Sequence, residues 1–266
     1  NGDFMVGLYQ SIYDDDNSEV RDSVRTDHDV LIADECHRVG AQTFSQVALN
    51  INATYRYGLS ATPEREDNAT LRVIGGTGEM IADIRPEGLI EDGYLARPRW
   101  EILDAPRAGG SHRQWQSEYK AEIVENDARN QLIADKVEDL PKPCYVHVER
   151  INHGERLEGL IEGAKFVSSD SSDREEVIEA FRDGDRDLLI STLLGEGFDV
   201  PELKSVVMAG GLKTSIGAIQ KVGRALRPGT DTAVIVDFMD NGRWVGEHSE
   251  ERIRTYREYY GKKFGP

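Results

Sequence analysis

The sequence predicts an α/β fold built on parallel sheets. Short apolar runs such as Val30–Ala33 and Asp187–Ile190 are continuous rather than alternating, which is typical of strands buried on both faces. Turn residues and then helical patterns follow these runs, as in a sheet covered by helices. In such folds ligands bind beyond the carboxyl ends of the strands, and several polar clusters of this sequence occur there.

The elements can be placed in chain order. The predicted strands are Phe4–Leu8, Val30–Ala33, Tyr57–Leu59, Tyr145–Val148, Asp187–Ile190, Ser205–Met208 and Ala233–Val236. Ser172 and Glu175 have the spacing of a capping box, which predicts a helix that continues through Phe181 and ends at Gly184. The charged tail from Glu250 to Tyr260 predicts a further helix on the surface.

The length of the chain predicts two domains, because 266 residues exceed the roughly 150 of an average domain. The stretch 105–112, with one proline and two glycines, has the composition of a linker. We therefore predict a first domain over residues 1–104, followed by a linker and a second domain over residues 105–266.

Composition and charge exclude several classes of protein. The apolar runs are far shorter than the ~18 residues of a membrane span, and the first residues lack a signal-peptide pattern, so no membrane partner is expected. Two cysteines, Cys36 and Cys144, cannot form a disulfide framework, which favours a reducing cytoplasm. A net charge of −17 argues against DNA binding through a broadly positive surface. Such acidity favours adaptation to high salt, in a salt-rich cytoplasm or a virus of such a host, with structure lost below roughly 0.5 M salt.

Asp34 and Glu35 directly follow a predicted buried strand. Two adjacent carboxylates in this position are costly unless their charge is used. In nucleotide hydrolases the aspartate of such a pair holds Mg²⁺ through water, and the glutamate orients or deprotonates the attacking water. Taken alone, the pair is more often a solvated turn, so its interpretation depends on the motifs that accompany it.

Three further polar segments come later in the chain than Asp34-Glu35-Cys36-His37. They are Leu59-Ser60-Ala61-Thr62-Pro63, the stretch 191–201, and Gln220-Lys221-Val222-Gly223-Arg224-Ala225-Leu226-Arg227-Pro228. The first two of them lie at the ends of apolar runs. In order and spacing the four segments resemble motifs II (in its DExH form), III, V and VI of superfamily 2 helicases. The last segment is the most specific, because Gln, Gly, Arg and Arg at offsets 0, 3, 4 and 7 seldom coincide.

The resemblance implies two RecA-like parallel-sheet domains that face each other across an ATP cleft, with the first domain incomplete at its N-terminus. It implies catalytic roles for Asp34, Glu35, His37, Arg224 and Arg227, with Asp34 and Glu35 holding Mg²⁺ through water. It also implies that ATP is contacted by Gln220, Gly197, Asp199, Ser60 and Thr62. Nucleic-acid contacts are implied for Gln10, Ser11, Arg65, Ser191 and Thr192.

Two details are similar to particular helicases. Arg65-Glu66-Asp67 is similar to an element of the XPB-type DNA-repair helicases, and the stretch 90–95 is similar to that group and to phage and archaeal helicases. We therefore expect an ATP-dependent DNA helicase or translocase, with DNA rather than RNA as its nucleic acid and repair or replication proteins as partners. The motor part of a restriction enzyme, an RNA helicase, and a non-catalytic split helicase half that acts as a binding module remain alternatives.

One motif of the family is absent from the sequence. The phosphate-binding pattern G-x-x-x-x-G-K-[ST] occurs nowhere, and in its nearest imitation, at 210–214, Leu212 replaces the second glycine. We therefore expect a truncated chain that by itself hydrolyses ATP poorly or not at all. Cys144, His147 and His153 are interpreted as strand and turn residues rather than metal ligands.

Overall fold

The computed structural model describes residues 5–8, 12, 28–36, 48–60, 70–193, 203–211, 218–219, 221–223, 226 and 231–266. The chain divides into two compact units, unit 1 (Asn1–Asp83) and unit 2 (Ile84–Pro266). Each unit contains a parallel sheet, so the predicted α/β class is confirmed. None of the described helices is both long enough and apolar enough to cross a membrane.

Unit 1 contains a two-stranded parallel sheet of β1 (Val30–Ala33) and β2 (Tyr55–Gly58), followed by helix α1 (Thr70–Thr77). A small core of Ala33, Cys36, Ala48 and Val73 covers one side of the sheet. The other side carries the exposed side chains of Val30, Ile32, Tyr55 and Tyr57. Burial on both faces was expected for these strands; within the described part of unit 1 the apolar cover lies on the Ala33 side instead.

Unit 2 contains a six-stranded sheet in the order β3-β8-β7-β4-β6-β5, in which all the paired strands are parallel. Its strands are β3 (Arg97–Asp104), β4 (Cys144–His147), β5 (Lys165–Val167), β6 (Leu188–Ser191), β7 (Ser205–Met208) and β8 (Thr232–Met239). Its helices are α2 (Pro86–Glu91), α3 (Trp115–Tyr119), which runs into a π-helical turn (Lys120–Val124), α4 (Asp127–Glu138), α5 (Ile151–Leu160), α6 (Arg174–Arg182) and α7 (Trp244–Phe264). The strands β4, β6 and β7 are buried along their whole length, as continuous apolar runs predict.

The division between the units differs from the predicted domain boundary at residue 104. Strand β3 pairs with β8 along its full length, from Arg97 opposite Thr232 to Asp104 opposite Met239. Because this pairing places β3 in the six-stranded sheet, residues 84–104 belong to unit 2, and the linker-like stretch 105–112 lies inside that unit.

Two helices can be compared with their predictions. Helix α6 begins after Asp173, which makes no side-chain capping bond, so the predicted capping box at Ser172 and Glu175 is wrong. Its predicted end is confirmed, because Gly184 has a φ of 83°, the left-handed conformation that follows many helix ends. The tail helix α7 is confirmed as a surface helix, because it buries one face along its length and exposes the other, as at Arg254 and Glu258.

A buried ion pair holds α7 against the sheet. The guanidinium of Arg252 donates to both carboxylate oxygens of Asp237 in β8, with each N–O distance 2.8 Å. The hydroxyl of Tyr256 donates to the same carboxylate at 3.0 Å. Asp237 and Arg252 are both inaccessible to solvent. The pair is therefore a buried one that fixes the position of α7, and not a surface ion pair.

Candidate functional site

The carboxyl ends of β1 and β2 bring the first two candidate motifs together. Asp34 and Glu35 directly follow β1, and Leu59 and Ser60 directly follow β2. The peptide N–H of Leu59 donates to the carbonyl of Ala33 at 2.9 Å, and that of Cys36 donates to the carbonyl of Leu59 at 2.8 Å. The segment that carries the two carboxylates is therefore joined by backbone hydrogen bonds to the segment that leads into Ser60.

The backbone at the carboxylates has an unusual conformation. Glu35 has a φ of 47°, in the left-handed region that non-glycine residues seldom adopt. The Asp34 carboxylate accepts a hydrogen bond from the Glu35 N–H at 2.9 Å, which stabilises the turn. Asp34 is exposed and Glu35 is half-buried. Strained backbone of this kind is concentrated at functional sites, which agrees with a role for this turn.

Gly58 allows this turn to pack closely on β2. A Cβ atom at Gly58 would lie 2.8 Å from Cys36 Sγ and 2.8 Å from Thr77 Oγ1, closer than real Cβ contacts allow. Burial raises the pKa of the Cys36 thiol, which remains protonated at neutral pH. Cys36 is therefore a packing residue at the base of the turn that carries Asp34 and Glu35.

In unit 2 the predicted residues Ser191 and Thr192 lie at the carboxyl end of β6. Ser191 is fully buried, and its Oγ accepts a hydrogen bond from the Leu193 N–H at 3.0 Å. Its carbonyl accepts hydrogen bonds from the Tyr145 hydroxyl at 3.2 Å and the Val148 N–H at 3.1 Å. Ser191 thus shapes the turn after β6, and half-buried Thr192 is the member of the pair with surface to offer a ligand.

A second cluster at the same edge of the sheet was missed by sequence reasoning. His147 ends β4, Glu149 follows it by two residues, and Lys221 lies on the helical segment 221–223. The Nε2 atom of His147 lies 2.9 Å from Glu149 Oε1 and 2.8 Å from Lys221 Nζ, and Lys221 Nζ donates to Glu149 Oε1 at 3.1 Å. The one sequence signal for this cluster is a His-x-Glu pattern at the end of a buried strand. From the sequence, His147 is interpreted as a strand or turn residue, and Glu149 is not considered.

The pKa values in this cluster indicate an ion pair beside a neutral imidazole. Burial lowers the pKa of His147, which favours the neutral ring. Burial raises the pKa of Glu149, but the hydrogen bond with His147 and the charge of Lys221 outweigh it and lower that pKa to about 2. A neutral imidazole carries one hydrogen, so His147 Nε2 either donates to Glu149 or accepts from Lys221. The charged partners are therefore Glu149 and Lys221.

Neighbouring strand ends enclose this cluster. A Cβ atom at Gly210, just beyond β7, would lie 2.9 Å from both the Cγ and the backbone nitrogen of Glu149, so only glycine fits there. The hydroxyl of Tyr119 donates to the Gly210 carbonyl at 2.7 Å and closes the site from the side of α3. The cluster therefore joins the ends of β4 and β7 to the segment that carries Lys221.

Other predicted residues cannot be placed. The predicted site residues outside the described residues are His37, Thr62, Arg65, Gln10, Ser11, Gly197, Asp199, Gln220, Arg224 and Arg227. Their assigned roles stay predictions.

The described residues fit Mg²⁺ better than they fit the phosphates of a nucleotide. The exposed carboxylate of Asp34 beside Glu35 offers oxygen ligands, which suit a hard cation that keeps several waters. Across the described residues no three His, Cys, Asp or Glu side chains gather into a closed metal site. A site formed by Asp34 and Glu35 would thus hold the ion largely through water.

Comparison with known proteins identifies the family. The family model "Type III restriction enzyme, res subunit" matches residues 1–65, and "Helicase conserved C-terminal domain" matches residues 141–229. The chain is 30% identical over 227 residues to a protein described as helicase 22 of Sulfolobus islandicus filamentous virus, covering 76% of this chain and 40% of that protein. It is also 30% identical over 239 residues to a protein described as the DNA 3'-5' helicase Rad25 of Halobacterium salinarum, covering 85% and 38%. In both matched regions the chain resembles the superfamily 2 helicases.

The predicted resemblance of this chain to XPB/Rad25-type and viral helicases is thereby confirmed. A fragment structure described as an HsdR subunit of a type I restriction enzyme from Vibrio vulnificus shares its fold. The TM-score is 0.69 at 20% identity, with 92% of this chain and 48% of that chain covered. The chain spans less than half the length of each of these proteins. Helicases of this superfamily use ATP, usually with Mg²⁺.

Proposed function

We propose that this chain is part of an ATP-dependent DNA helicase or translocase in which Asp34 and Glu35 serve ATP hydrolysis. The observation that carries the proposal is the turn after β1. There an exposed and a half-buried carboxylate are held on a strained backbone that is hydrogen-bonded to the segment before Ser60. Resemblance to the superfamily 2 helicases supports the same function.

Each carboxylate has a distinct proposed role. Asp34 is exposed, and it binds Mg²⁺ through water; the ion, when bound, neutralises phosphate charge. Glu35 is half-buried beside it and orients or deprotonates the water that attacks the terminal phosphate. Arg224 and Arg227 of motif VI, whose planar guanidinium groups suit phosphate oxygens, stabilise the charge of the transition state.

The proposed nucleic acid is DNA. A relative described as a DNA helicase supports this choice, and the partial exposure of Thr192 at the end of β6 provides one contact point. The net charge of −17 means that DNA is held by local groups rather than by a broadly positive surface. We further propose that repair or replication proteins are the partners of the complete helicase.

The phosphate-binding loop is proposed to come from polypeptide outside these 266 residues, since G-x-x-x-x-G-K-[ST] does not occur within them. The chain alone would then show little or no ATP hydrolysis. A non-catalytic binding module is the second candidate. The missing pattern favours that module, whereas the coexistence of Asp34, Glu35, Arg224 and Arg227 favours the enzyme.

The test is ATP hydrolysis by the product of the complete reading frame that encodes this sequence, with and without DNA and Mg²⁺. Glu35→Gln should lower kcat by roughly 10²–10⁴-fold, the usual contribution of a general base. Glu79→Gln, the same change at an exposed position, is the matched control and should leave kcat unchanged. Full activity of Glu35→Gln would overturn its role. DNA binding without any hydrolysis by the wild-type product would identify the binding module instead.

A further inference from the structure

The segment that carries Lys221 is attached to unit 2 in two ways. Ala218, Val222 and Leu226 are fully buried and contribute to the main apolar core of unit 2. Lys221 has a side chain only 14% exposed and forms the ion pair with Glu149. Apolar contacts are non-directional, whereas an ion pair with N–O distances near 3 Å fixes one geometry, so the second attachment sets the orientation.

Lys221 occupies a particular place in motif VI. It directly follows Gln220 and precedes Arg224 by three positions, but it is not one of the residues to which the motif assigns nucleotide contact. Its Nζ atom is turned toward Glu149 and His147, so its charge is used within the protein. Glu149 packs directly against Gly210. A side chain at position 210 would collide with Glu149, so the glycine leaves the space that Glu149 occupies.

We propose that Lys221, held by Glu149 and His147, is a positioning residue that fixes the orientation of motif VI for ATP hydrolysis. This proposal rests on the proposed function, because it assigns Lys221 to the support of Gln220, Arg224 and Arg227. Lys221 acts through these residues and does not itself contact the nucleotide. The Glu149–Lys221 pair connects the Lys221 segment of motif VI to the end of β4, which lies between β7 and β6 in the sheet.

Two measurements test the proposal with Lys221→Met and Lys221→Arg. The matched control is Lys204→Met, at an exposed lysine next to the amino end of β7, the opposite edge of the sheet. The first measurement is amide hydrogen exchange over residues 218–223 of the 266-residue chain, which needs no ATPase activity. Lys221→Met should accelerate exchange there by about tenfold or more through easier local opening, while Lys204→Met leaves it unchanged.

The second measurement is DNA-stimulated ATP hydrolysis by the product of the complete reading frame. In Lys221→Met we expect kcat to fall by roughly 10–100-fold, because a misplacement of ~1 Å can cost about 10²-fold, while KM for ATP changes less than about threefold. Lys221→Arg, which keeps the charge, should recover most of the rate. If Lys221 had a purely structural role, Lys221→Met would lower the amount of folded protein. The folded fraction would then keep the wild-type ratio of kcat to KM.

The outcomes separate the two proposals. If the wild-type product hydrolyses ATP and Lys221→Met matches it in kcat, the positioning role is overturned and the proposed function stands. If the wild-type product hydrolyses no ATP, the proposed function fails, and so does the positioning role of Lys221 in ATP hydrolysis. Exchange unchanged in Lys221→Met overturns the positioning proposal whatever the hydrolysis results show.

Discussion

Replacement of Asp237 by asparagine should remove the charge that holds helix α7 on the sheet of unit 2. Arg252 would keep its charge, since a guanidinium does not deprotonate in proteins, and would lose the carboxylate charge of Asp237 in a site with no access to solvent. Removing one member of a buried ion pair costs about 3–5 kcal/mol. For a unit of this size, each kcal/mol lowers Tm by about 2–4 °C, so we expect a decrease of roughly 6–20 °C.

Tryptophan fluorescence reports this change selectively. The three tryptophans, Trp100, Trp115 and Trp244, lie in unit 2, and the ring of Trp100 packs 4.7 Å from that of Tyr256. Urea unfolding followed by tryptophan emission therefore measures the unit that contains the pair.

Arg254→Met is the matched control for this measurement. Its side chain is 63% exposed on the same helix, and its surface ion pairs contribute no more than about 1 kcal/mol. If Asp237→Asn destabilises unit 2 no more than Arg254→Met does, the reasoning from buried charge is refuted.

Two further predictions concern packing and pH. Gly58→Ala should push Cys36 outward and lower the free energy of unfolding by about 1–3 kcal/mol, so that thiol labelling of Cys36 accelerates. Gly75→Ala is the control, because nothing lies within 4 Å of a Cβ there, and it should leave the labelling rate unchanged. Burial, aided by the charge of Arg129, lowers the pKa of His153 from 6.5 to about 3, so the unfolded chain binds one proton more than the folded chain between these values. The stability of unit 2 should therefore fall as pH drops below 6.5, by up to about 1.4 kcal/mol per pH unit. His153→Gln should reduce this slope in urea titrations, and a slope identical to that of wild type would contradict the assignment.

The central strands of unit 2 could be predicted from sequence, and its edge strands could not. The runs around Tyr145, Leu189 and Val206 are apolar throughout because helices cover both faces of those strands. Strand β3 lies at one edge, half-exposed, and its Arg97-Pro98-Arg99-Trp100-Glu101 has no continuous apolar run. Strand β5 lies at the other edge and is three residues long, too short to produce a pattern.

The candidate site likewise has a part that could be predicted from sequence and a part that could not. Asp34, Glu35 and Ser60 belong to short segments whose residue types are recognisable in sequence, and the structure places these segments side by side. The Glu149–Lys221 pair joins positions 72 apart in the chain. Only the sheet order, with β4 between β7 and β6, and the folding of the later helical segment against it bring them together. A lysine in an acidic, charged sequence is ordinarily taken to be solvated, so its burial could not be inferred from sequence.

The link between the turn after β1 and the segment after β2 has a mechanical consequence. It is made by peptide groups, from the Leu59 N–H to the Ala33 carbonyl and from the Cys36 N–H to the Leu59 carbonyl. Side-chain substitutions at positions 59 and 60 therefore leave these two hydrogen bonds intact. We expect Ser60 to move together with the turn that carries the carboxylates. Proline at position 59, which has no N–H, would remove the bond to the Ala33 carbonyl and leave the bond from the Cys36 N–H as the remaining one of the two.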